Sequence, residues 1–401
     1  MSPESAASSP QQSQNPSVAP PPQNGKRPRL FSEANRFWQR VTEGLELGEL
    51  MSQFKQDAQT GFRFYRRDFA AGTEPGERTG FLHRVQELMW AILGKLTPAR
   101  RVLLLAGIVL LLLPGGGVHF QNGNRDVEFS GPSLQFWGGA VLFVLLMLEI
   151  ADRVVMKRDL EIARDIQSWL LPANPPPVEG LAIAFATRPA NTVAGDFYDV
   201  FARQNSSAGS PVFLMAVADV AGKSIPAALL MATFQASLKT LSATPCSLQE
   251  LAGALNRYAC GNSQGGLRFT TAFLAEYDPA TRVMNYVNAG HNNPMFRRSS
   301  GAIERLVAGG LPLGIQGEAR YESGTITVSP GDWVVIFTDG LVEAENQFAQ
   351  EYGEERLLNV LHANSATTPQ VLLERMIAEV NAFVGPTPQH DDITCMLIKA
   401  A

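Results

Sequence analysis

The chain has 401 residues, a formal net charge of −5 and a pI near 5.7. An acidic chain is not expected to be a general nucleic-acid-binding protein, because such proteins are usually basic. The length allows one large domain or two ordinary domains with additional segments. The cysteines show no CxxC spacing, which is typical of small apolar residues in a reducing compartment; they are Cys246, Cys260 and Cys395.

Two segments precede the first long apolar run. Residues 1–34 are rich in Pro, Ser, Gln and Asn and poor in apolar side chains, which predicts a disordered tail. Residues 35–98 are amphipathic, and aromatic and basic residues alternate at 62–67, as in segments at a membrane interface. We predict a cytosolic juxtamembrane segment there. A small helical domain would show the same pattern.

Residues 99–151 contain two apolar runs, at 102–120 and 134–150. Each run is about as long as the shortest membrane span, roughly 17 residues. Basic residues precede the first run and follow the second, so the positive-inside rule predicts a transmembrane helical hairpin. We therefore expect a multi-pass protein of the inner membrane, with two spans and with both the N-terminus and the C-terminal domain in the cytoplasm. A buried helical hairpin of a soluble protein is the alternative.

A charged helical linker is predicted for residues 152–177, where three consecutive prolines end the helix. Within it, apolar residues at 155, 162, 166 and 170 form a stripe that would suit pairing with a second copy. A homodimer through 152–171 is therefore a hypothesis.

Residues 178–401 alternate predicted strands and helices, with hairpins beside helical blocks and few crossovers, which indicates an α+β fold with antiparallel sheets. The predicted strands are 181–187, 197–202, 212–218, 270–277, 282–289, 294–298, 303–306, 325–328, 333–337 and 393–399, and the predicted helices are 226–241, 248–260, 354–364 and 369–384.

Four aspartates stand beside predicted strands. The apolar run from Val335 ends in Asp339 and Gly340, and similar acids occur at Asp196, Asp219 and Asp391. Ions such as Mg²⁺ and Mn²⁺ prefer oxygen ligands, and two such ions can activate a bridging hydroxide for attack on phosphorus. The acids therefore predict one metal site. Glycines at 195, 222 and 340 would let the backbone come close to it.

These motifs carry a resemblance over residues 161–399. The segment resembles the PPM-type, metal-dependent serine/threonine phosphatases, in the bacterial branch typified by sporulation stage II protein E and the stress-response phosphatases. The matching segments are ARDIQ at 163–167, GDFYD at 195–199, ADVAGK at 218–223, PAALLM at 226–231, NAGHN at 288–292, GLPLG at 310–314, FTDG at 337–340 and DDIT at 391–394. Ala194 and Ser224 depart from the glycines that are usual there, which implies altered loop detail.

The resemblance implies a sandwich of two antiparallel β-sheets flanked by helices, with two Mn²⁺ or Mg²⁺ ions at one edge. It also implies hydrolysis of phosphoserine or phosphothreonine on a signalling partner by a metal-activated water. In related systems that partner is often an antagonist of an anti-sigma factor. The implied metal ligands, through which catalysis would act, are Asp196, Asp219, Asp339, Asp391 and the carbonyl of Val220, and Asp392 and Gly222 are further candidates.

Three points stay open at this stage. A catalytically weak scaffold that binds a phosphoprotein at the inner membrane face is the alternative function, and a non-enzymatic membrane sensor is a third. His291 could be a general acid or could make a structural hydrogen bond in a turn, and we favour the structural interpretation. A linker helix next to the domain could also set the geometry of the metal site.

Overall fold

A computed structural model describes residues 93–94, 96–113, 118–122, 125–129, 133–203, 211–263 and 268–401. The chain divides into two units, Met1–Leu145 and Leu146–Ala401. The predicted tail at 1–34 and nearly all of the predicted segment at 35–98 lie outside the described residues.

The described part of the first unit is built on a helix, a β-hairpin and the start of a second helix. Helix α1 is Pro98–Leu112 and has proline in its first turn, where no backbone N–H is needed. Strands β1 (Val118–Asn122) and β2 (Arg125–Phe129) pair antiparallel. Helix α2 begins in this unit and runs over Leu134–Leu170.

The predicted transmembrane hairpin is wrong. Within the part of the chain that the structure describes, no helix combines the length and the apolar character needed to cross a membrane. The first predicted span, 102–120, includes a helix end at Leu112 and the first residues of a strand. The 15 residues of α1 cover about 22 Å at 1.5 Å per residue, less than the roughly 30 Å of a hydrocarbon core.

The second predicted span, 134–150, is only the beginning of α2. Its uncharged part ends before Glu149, which pairs with Arg153, so this apolar stretch is also about 22 Å long. An apolar run in the sequence does not show where a helix ends or where charged residues enter it. The predicted localisation, a multi-pass inner-membrane protein with two spans, rested on the hairpin and is wrong with it.

The second unit contains two β-sheets with helices on their outer faces. Its strands are β3 Leu181–Arg188, β4 Phe197–Arg203, β5 Val212–Val220, β6 Thr270–Asp278, β7 Val283–Ala289, β8 Met295–Arg297, β9 Ile303–Arg305, β10 Gly309–Gly310, β11 Gly324–Thr327, β12 Trp333–Phe337 and β13 Ile393–Ala400. Its further helices are α3 Ile225–Ser242, α4 Leu248–Asn262, α5 Asp339–Val342, α6 Gly353–Ala363 and α7 Pro369–Val384.

The first sheet has the strand order β3-β13-β12-β8-β9 and is antiparallel throughout. The second sheet has the order β10-β7-β6-β5-β4, with β11 also paired to β7. Its pairs are antiparallel except that β10 runs parallel to β7. Long antiparallel ladders place the ends of neighbouring strands at the same edge, which positions the site described below.

Both sheets are buried on both faces because side chains alternate between two cores. In β12, Val334 and Ile336 pack into the core between the sheets. Trp333, Val335 and Phe337 pack instead under α6 and α7. Full burial of an apolar side chain contributes about 1.5–3 kcal/mol, so a continuous apolar strand stabilises two layers at once.

Helices α3 and α4 cover the second sheet through a separate core that includes Met231, Leu238 and Leu251. Helix α4 starts at a capping box, in which Ser247 and Glu250 satisfy each other's backbone N–H groups. Helix α7 starts at Thr368, whose side chain accepts a hydrogen bond from the backbone N–H of Val371. These caps explain why the helices begin where they do.

The layer order is therefore helices, sheet, sheet, helices, and the predicted α+β antiparallel sandwich flanked by helices is confirmed. The predicted strands and helices from residue 181 onward correspond to observed elements, with differences of one or two residues at most ends. The boundaries of the predicted domains stay predictions.

Candidate metal centre

The four predicted acids lie at strand ends on one edge of the sandwich. Asp196 directly precedes β4, and the β4–β5 register pairs Phe197 with Ala218, so Asp196 and Asp219 come opposite each other. Asp339 follows β12, and Asp391 precedes β13, its partner in the first sheet. Each sheet thus delivers two of the four carboxylates.

Thr338 connects the two sheets at this edge. Its hydroxyl donates a 2.9 Å hydrogen bond to Oδ2 of Asp196 and accepts one of 2.9 Å from the backbone N–H of Thr394. Thr338 is fully buried, and Asp196 is 1 % exposed. A hydroxyl has one proton to donate, so this geometry commits it to the carboxylate. Sequence reasoning missed this role, although a hydroxyl at the end of a buried apolar strand was a usable signal.

The acids are close enough to repel one another. Burial raises the pKa of Asp196 well above its usual range, and the charge of Asp219 raises it further. Burial, with the charges of Asp339 and Asp391, raises the pKa of Asp219 to about 7. Burial and Asp391 also raise the pKa of Asp339. Raised pKa values of this origin show that the site is short of positive charge.

One cation already approaches the acids. Lys223 Nζ lies 2.9 Å from Oδ2 of Asp391, but both side chains are about half exposed, so this pair adds little stability. Beside it is a cavity of about 220 Å³ whose walls include Arg188, Lys223, Gly340 and Asp391. The carboxylate of Asp391 therefore borders open space next to two basic side chains.

Two glycines let the backbone approach closely at this edge. A Cβ on Gly340 would lie 2.1 Å from the backbone oxygen of Asp392, so the turn after β12 packs directly on the start of β13. A Cβ on Gly195 would lie 3.1 Å from the carbonyl oxygen of Val220, which is one of the predicted ligands. At positions 195 and 340 a side chain would therefore crowd neighbouring backbone, which explains why glycine stands there.

The loop after Asp219 adopts left-handed backbone angles. Gly222 has a φ of +121° and Ser224 has a φ of +63°. Ser224 is the position where the related motif usually has glycine, and the structure shows why, since L side chains adopt positive φ at a cost. Gly222 is exposed and has open space around its Cα, so its candidate role as a ligand stays a prediction.

Asp392 differs from the other acids. Its two carboxylate oxygens accept hydrogen bonds from the backbone N–H groups of Ala190, at 2.7 Å, and Gly195, at 2.6 Å. Its charge also acts on Asp196 and Asp219, whose pKa values it raises.

The chemistry of the set fits a hard divalent cation, because the interacting acids are all aspartates. Within the described residues, no group of three or more Asp, Glu, His or Cys side chains is arranged so that it could hold a metal ion as the side chains stand. The convergence is instead shown by the register, by the Thr338 bridge and by the mutual pKa effects. The assignment of individual ligands stays a prediction.

His291 lies away from solvent, at 5 % exposure. Its Nδ1 is 2.9 Å from the hydroxyl of Thr271, and its backbone N–H donates to Asn288 Oδ1. Burial lowers the pKa of His291 to about 4. A neutral, buried imidazole in these contacts supports the structural interpretation over a general acid.

Comparison with known proteins places this site in a family. Residues 211–401 match the family model described as Stage II sporulation protein E (SpoIIE). Those residues are a SpoIIE-family domain. The match includes Asp219, Asp339 and Asp391 but begins after Asp196, which the β4–β5 ladder brings to the same edge. The predicted family is confirmed for this domain.

Two curated relatives resemble the chain. Phosphoserine phosphatase RsbU of Bacillus subtilis is 29 % identical over 247 residues, 61 % of this chain and 70 % of that protein. Protein IcfG of Synechocystis sp. is 25 % identical over 309 residues, 70 % of this chain. The chain spans 48 % of the length of IcfG, about half.

Among solved structures, the SiaA-PP2C domain of Pseudomonas aeruginosa has a TM-score of 0.53 at 20 % identity and covers 63 % of this chain and 99 % of that domain. This likeness shows that the SpoIIE domain and the strands before it share the PP2C-like fold.

The close contact at Gly340 predicts a selective defect in metal binding. In Gly340→Ala, the new Cβ would meet the backbone of Asp392, so the strand ends that carry Asp339 and Asp391 must separate. We expect Mn²⁺ affinity to fall by about 10- to 100-fold, as for other changes that misplace metal ligands. Isothermal titration with Mn²⁺ measures this. The matched control is Gly317→Ala, since Gly317 has no atom within 4 Å of its Cβ position; equal affinities for the two variants would contradict the prediction.

The raised pKa of Asp219 predicts that metal-free protein loses stability as pH increases. The folded state, with a pKa of about 7, holds a proton that the unfolded chain, near 3.8, has lost. Stability therefore falls as the pH rises from about 4 to about 7, by up to about 4 kcal/mol. Urea unfolding in a chelator at several pH values measures it. In Asp219→Asn the unfolding free energy should decrease less steeply with pH. If it depends on pH in the same way in both proteins, Asp219 is not the origin of the effect.

Proposed function

We propose that the protein is a metal-dependent phosphatase that hydrolyses phosphoserine or phosphothreonine on a signalling protein. The observation that carries the proposal is the convergence of Asp196, Asp219, Asp339 and Asp391 on one edge, where burial and mutual repulsion raise the pKa of three of them. Such a set of carboxylates is costly without compensating cations.

Two Mn²⁺ or Mg²⁺ ions, held by these four carboxylates and the carbonyl of Val220, would supply an activated water and polarise the phosphoryl group. The chain itself orients the ligands. Thr338 holds the carboxylate of Asp196, and the packing of Gly195 against Val220 keeps that carbonyl at the edge. Arg188 and Lys223 border the adjacent cavity together with four acidic residues, and they are the basic groups there that could contact a phosphate group.

The substrate is proposed to be a phosphorylated protein rather than a small metabolite. The cavity beside the acids is bordered by exposed residues of α7 and of the segment before β13, among them Asn381 and His390. A phosphorylated side chain could enter while its backbone stays outside. The similarity to a protein named phosphoserine phosphatase supports this class, and an antagonist of an anti-sigma factor is the partner type that the resemblance favours.

A catalytically weak scaffold that binds a phosphoprotein is the alternative. It would need a cavity that admits a phosphate group, but not the cluster of carboxylates in which burial raises the pKa of Asp196, Asp219 and Asp339 and so destabilises the metal-free fold. The arrangement of the acids therefore favours the enzyme.

Asp339→Asn tests the enzyme. Hydrolysis of p-nitrophenyl phosphate by the full chain should require added Mn²⁺ and fall by more than about 100-fold in the variant, because a neutral amide is a poor ligand for the ion. Glu318→Gln, the same carboxylate-to-amide change at an exposed position, should keep wild-type activity. Mn²⁺ binding without any turnover in the wild type would support the scaffold.

We propose further that α2 pairs with α2 of a second copy. Val155, Ile162, Ile166 and Trp169 are 48–80 % exposed on this helix. Their spacing of seven, four and three residues follows the a and d positions of a heptad over two repeats. Burying such a stripe removes apolar surface from water, which stabilises a dimer.

Charge reversal on the stripe tests the dimer. Ile162→Glu should weaken self-association at least about tenfold, because like charges would face each other at a d position. Arg164→Glu, on the outer face of the same helix, is the matched control and should dimerise as the wild type does. Sedimentation equilibrium measures both, and a wild-type chain that stays monomeric would refute the pairing.

A further inference from the structure

The segment between β3 and β4, residues 189–196, forms no helix or strand, and its second half, residues 193–196, is buried. Val193 and Ala194 are 2 % and 1 % exposed, and the segment ends in Asp196. Buried backbone groups outside regular structure need hydrogen-bond partners from elsewhere in the chain. We call this segment the Asp196 loop and consider where its partners come from.

The first partner is Asp392. One oxygen of its carboxylate accepts the N–H of Ala190 at 2.7 Å and the other accepts the N–H of Gly195 at 2.6 Å, across about 200 residues of sequence. Charge-assisted bonds of this length are stronger than bonds between neutral groups. A single side chain therefore holds both ends of the Asp196 loop.

The second partner is Gln167 of α2, which is 7 % exposed. Its Nε2 donates to the carbonyl of Ala194 at 2.7 Å, and its Oε1 accepts the N–H of Ala194 at 2.9 Å. The two residues before Asp196 thus have their backbone groups bound by Gln167 and Asp392. The carboxylate of Asp196 itself is held by Thr338.

Asp391 and Asp392 are neighbours that face different surroundings. Asp391 pairs with Lys223 and borders the open cavity. Asp392 instead places both carboxylate oxygens within hydrogen-bond distance of backbone N–H groups of the loop. The charge of Asp392 does reach Asp196 and Asp219, so direct ligation is the rival interpretation.

We propose that Asp392 is a positioning residue and not a metal ligand: it anchors the Asp196 loop from β13 while Gln167 anchors it from α2. Each oxygen of Asp392 accepts a backbone N–H of the loop, and Asp391 is the acid of the pair that borders the cavity. The inference rests on the proposed metal site, and it assigns to Asp392 an effect exerted through the position of Asp196.

Gln167 makes the decisive comparison possible, because an amide on α2 can anchor the loop but is not an acid of the cluster. In the full chain, Asp392→Ala and Gln167→Leu should both speed amide hydrogen exchange in the peptide that covers residues 189–196. Both should weaken Mn²⁺ binding by about 10- to 100-fold while two ions still bind at saturation, as expected when a group supporting a ligand is lost. Asp392→Asn keeps one acceptor oxygen and should fall between wild type and Asp392→Ala.

Two comparisons complete the experiment. Asp391→Asn, the predicted ligand next in sequence, should lower the number of Mn²⁺ ions bound, counted by electron paramagnetic resonance of free Mn²⁺, and leave exchange of the loop near wild type. Ser168→Ala, the exposed neighbour of Gln167, should match wild type in both measurements.

The proposal is overturned if Asp392→Ala loses a bound ion as Asp391→Asn does, or if exchange of the loop is unchanged in Asp392→Ala. If the wild-type chain binds no Mn²⁺, the proposed effect of Asp392 on metal binding is overturned. Neither readout requires turnover, so the absence of phosphatase activity would refute the proposed function and leave this test standing.

Discussion

Thr338 donates a hydrogen bond to Asp196 from the opposite sheet, in a fully buried position where neither group can exchange its partner for water. This contact ties the end of the first sheet to the loop that opens the second. The acids at this edge repel one another, so the two sheets would separate there without such links. Thr338, Asp392 and Gln167 each hold the Asp196 loop from a different element.

The repelling acids are held in place by strands that are buried on both faces of the sheet. Apolar strands that fill two cores leave little freedom at their ends, and the acids stand at those ends. The glycines at 195 and 340 then allow backbone contacts that a side chain would prevent. The metal-free site stores electrostatic repulsion, and the packing of the sandwich is what opposes it.

The linker helix has a direct role in this arrangement. Gln167 lies on α2, yet it contacts the residue two positions before Asp196. The carbonyl of Leu170, at the end of the same helix, accepts a hydrogen bond from Gln235 of α3. A change in the position of α2 would therefore move or break contacts with both the Asp196 loop and α3. These contacts give a physical basis for regulation through this helix.

The amino-acid sequence alone predicted the antiparallel α+β fold and the acids at its strand ends, because short apolar runs and turn residues are local properties of the chain, and the family resemblance implied the sandwich. The residue types alone could not distinguish Asp391 from Asp392, which are adjacent and chemically identical, since only the folded chain shows that Asp392 accepts N–H groups of the Asp196 loop while Asp391 borders the cavity. The sequence also led to a membrane hairpin, because hydropathy measures apolar runs but not the points at Leu112 and Glu149 where a helix ends or becomes charged. Tertiary structure decided these questions, and it revealed Gln167 and Thr338 as partners of a loop that lies far from both in sequence.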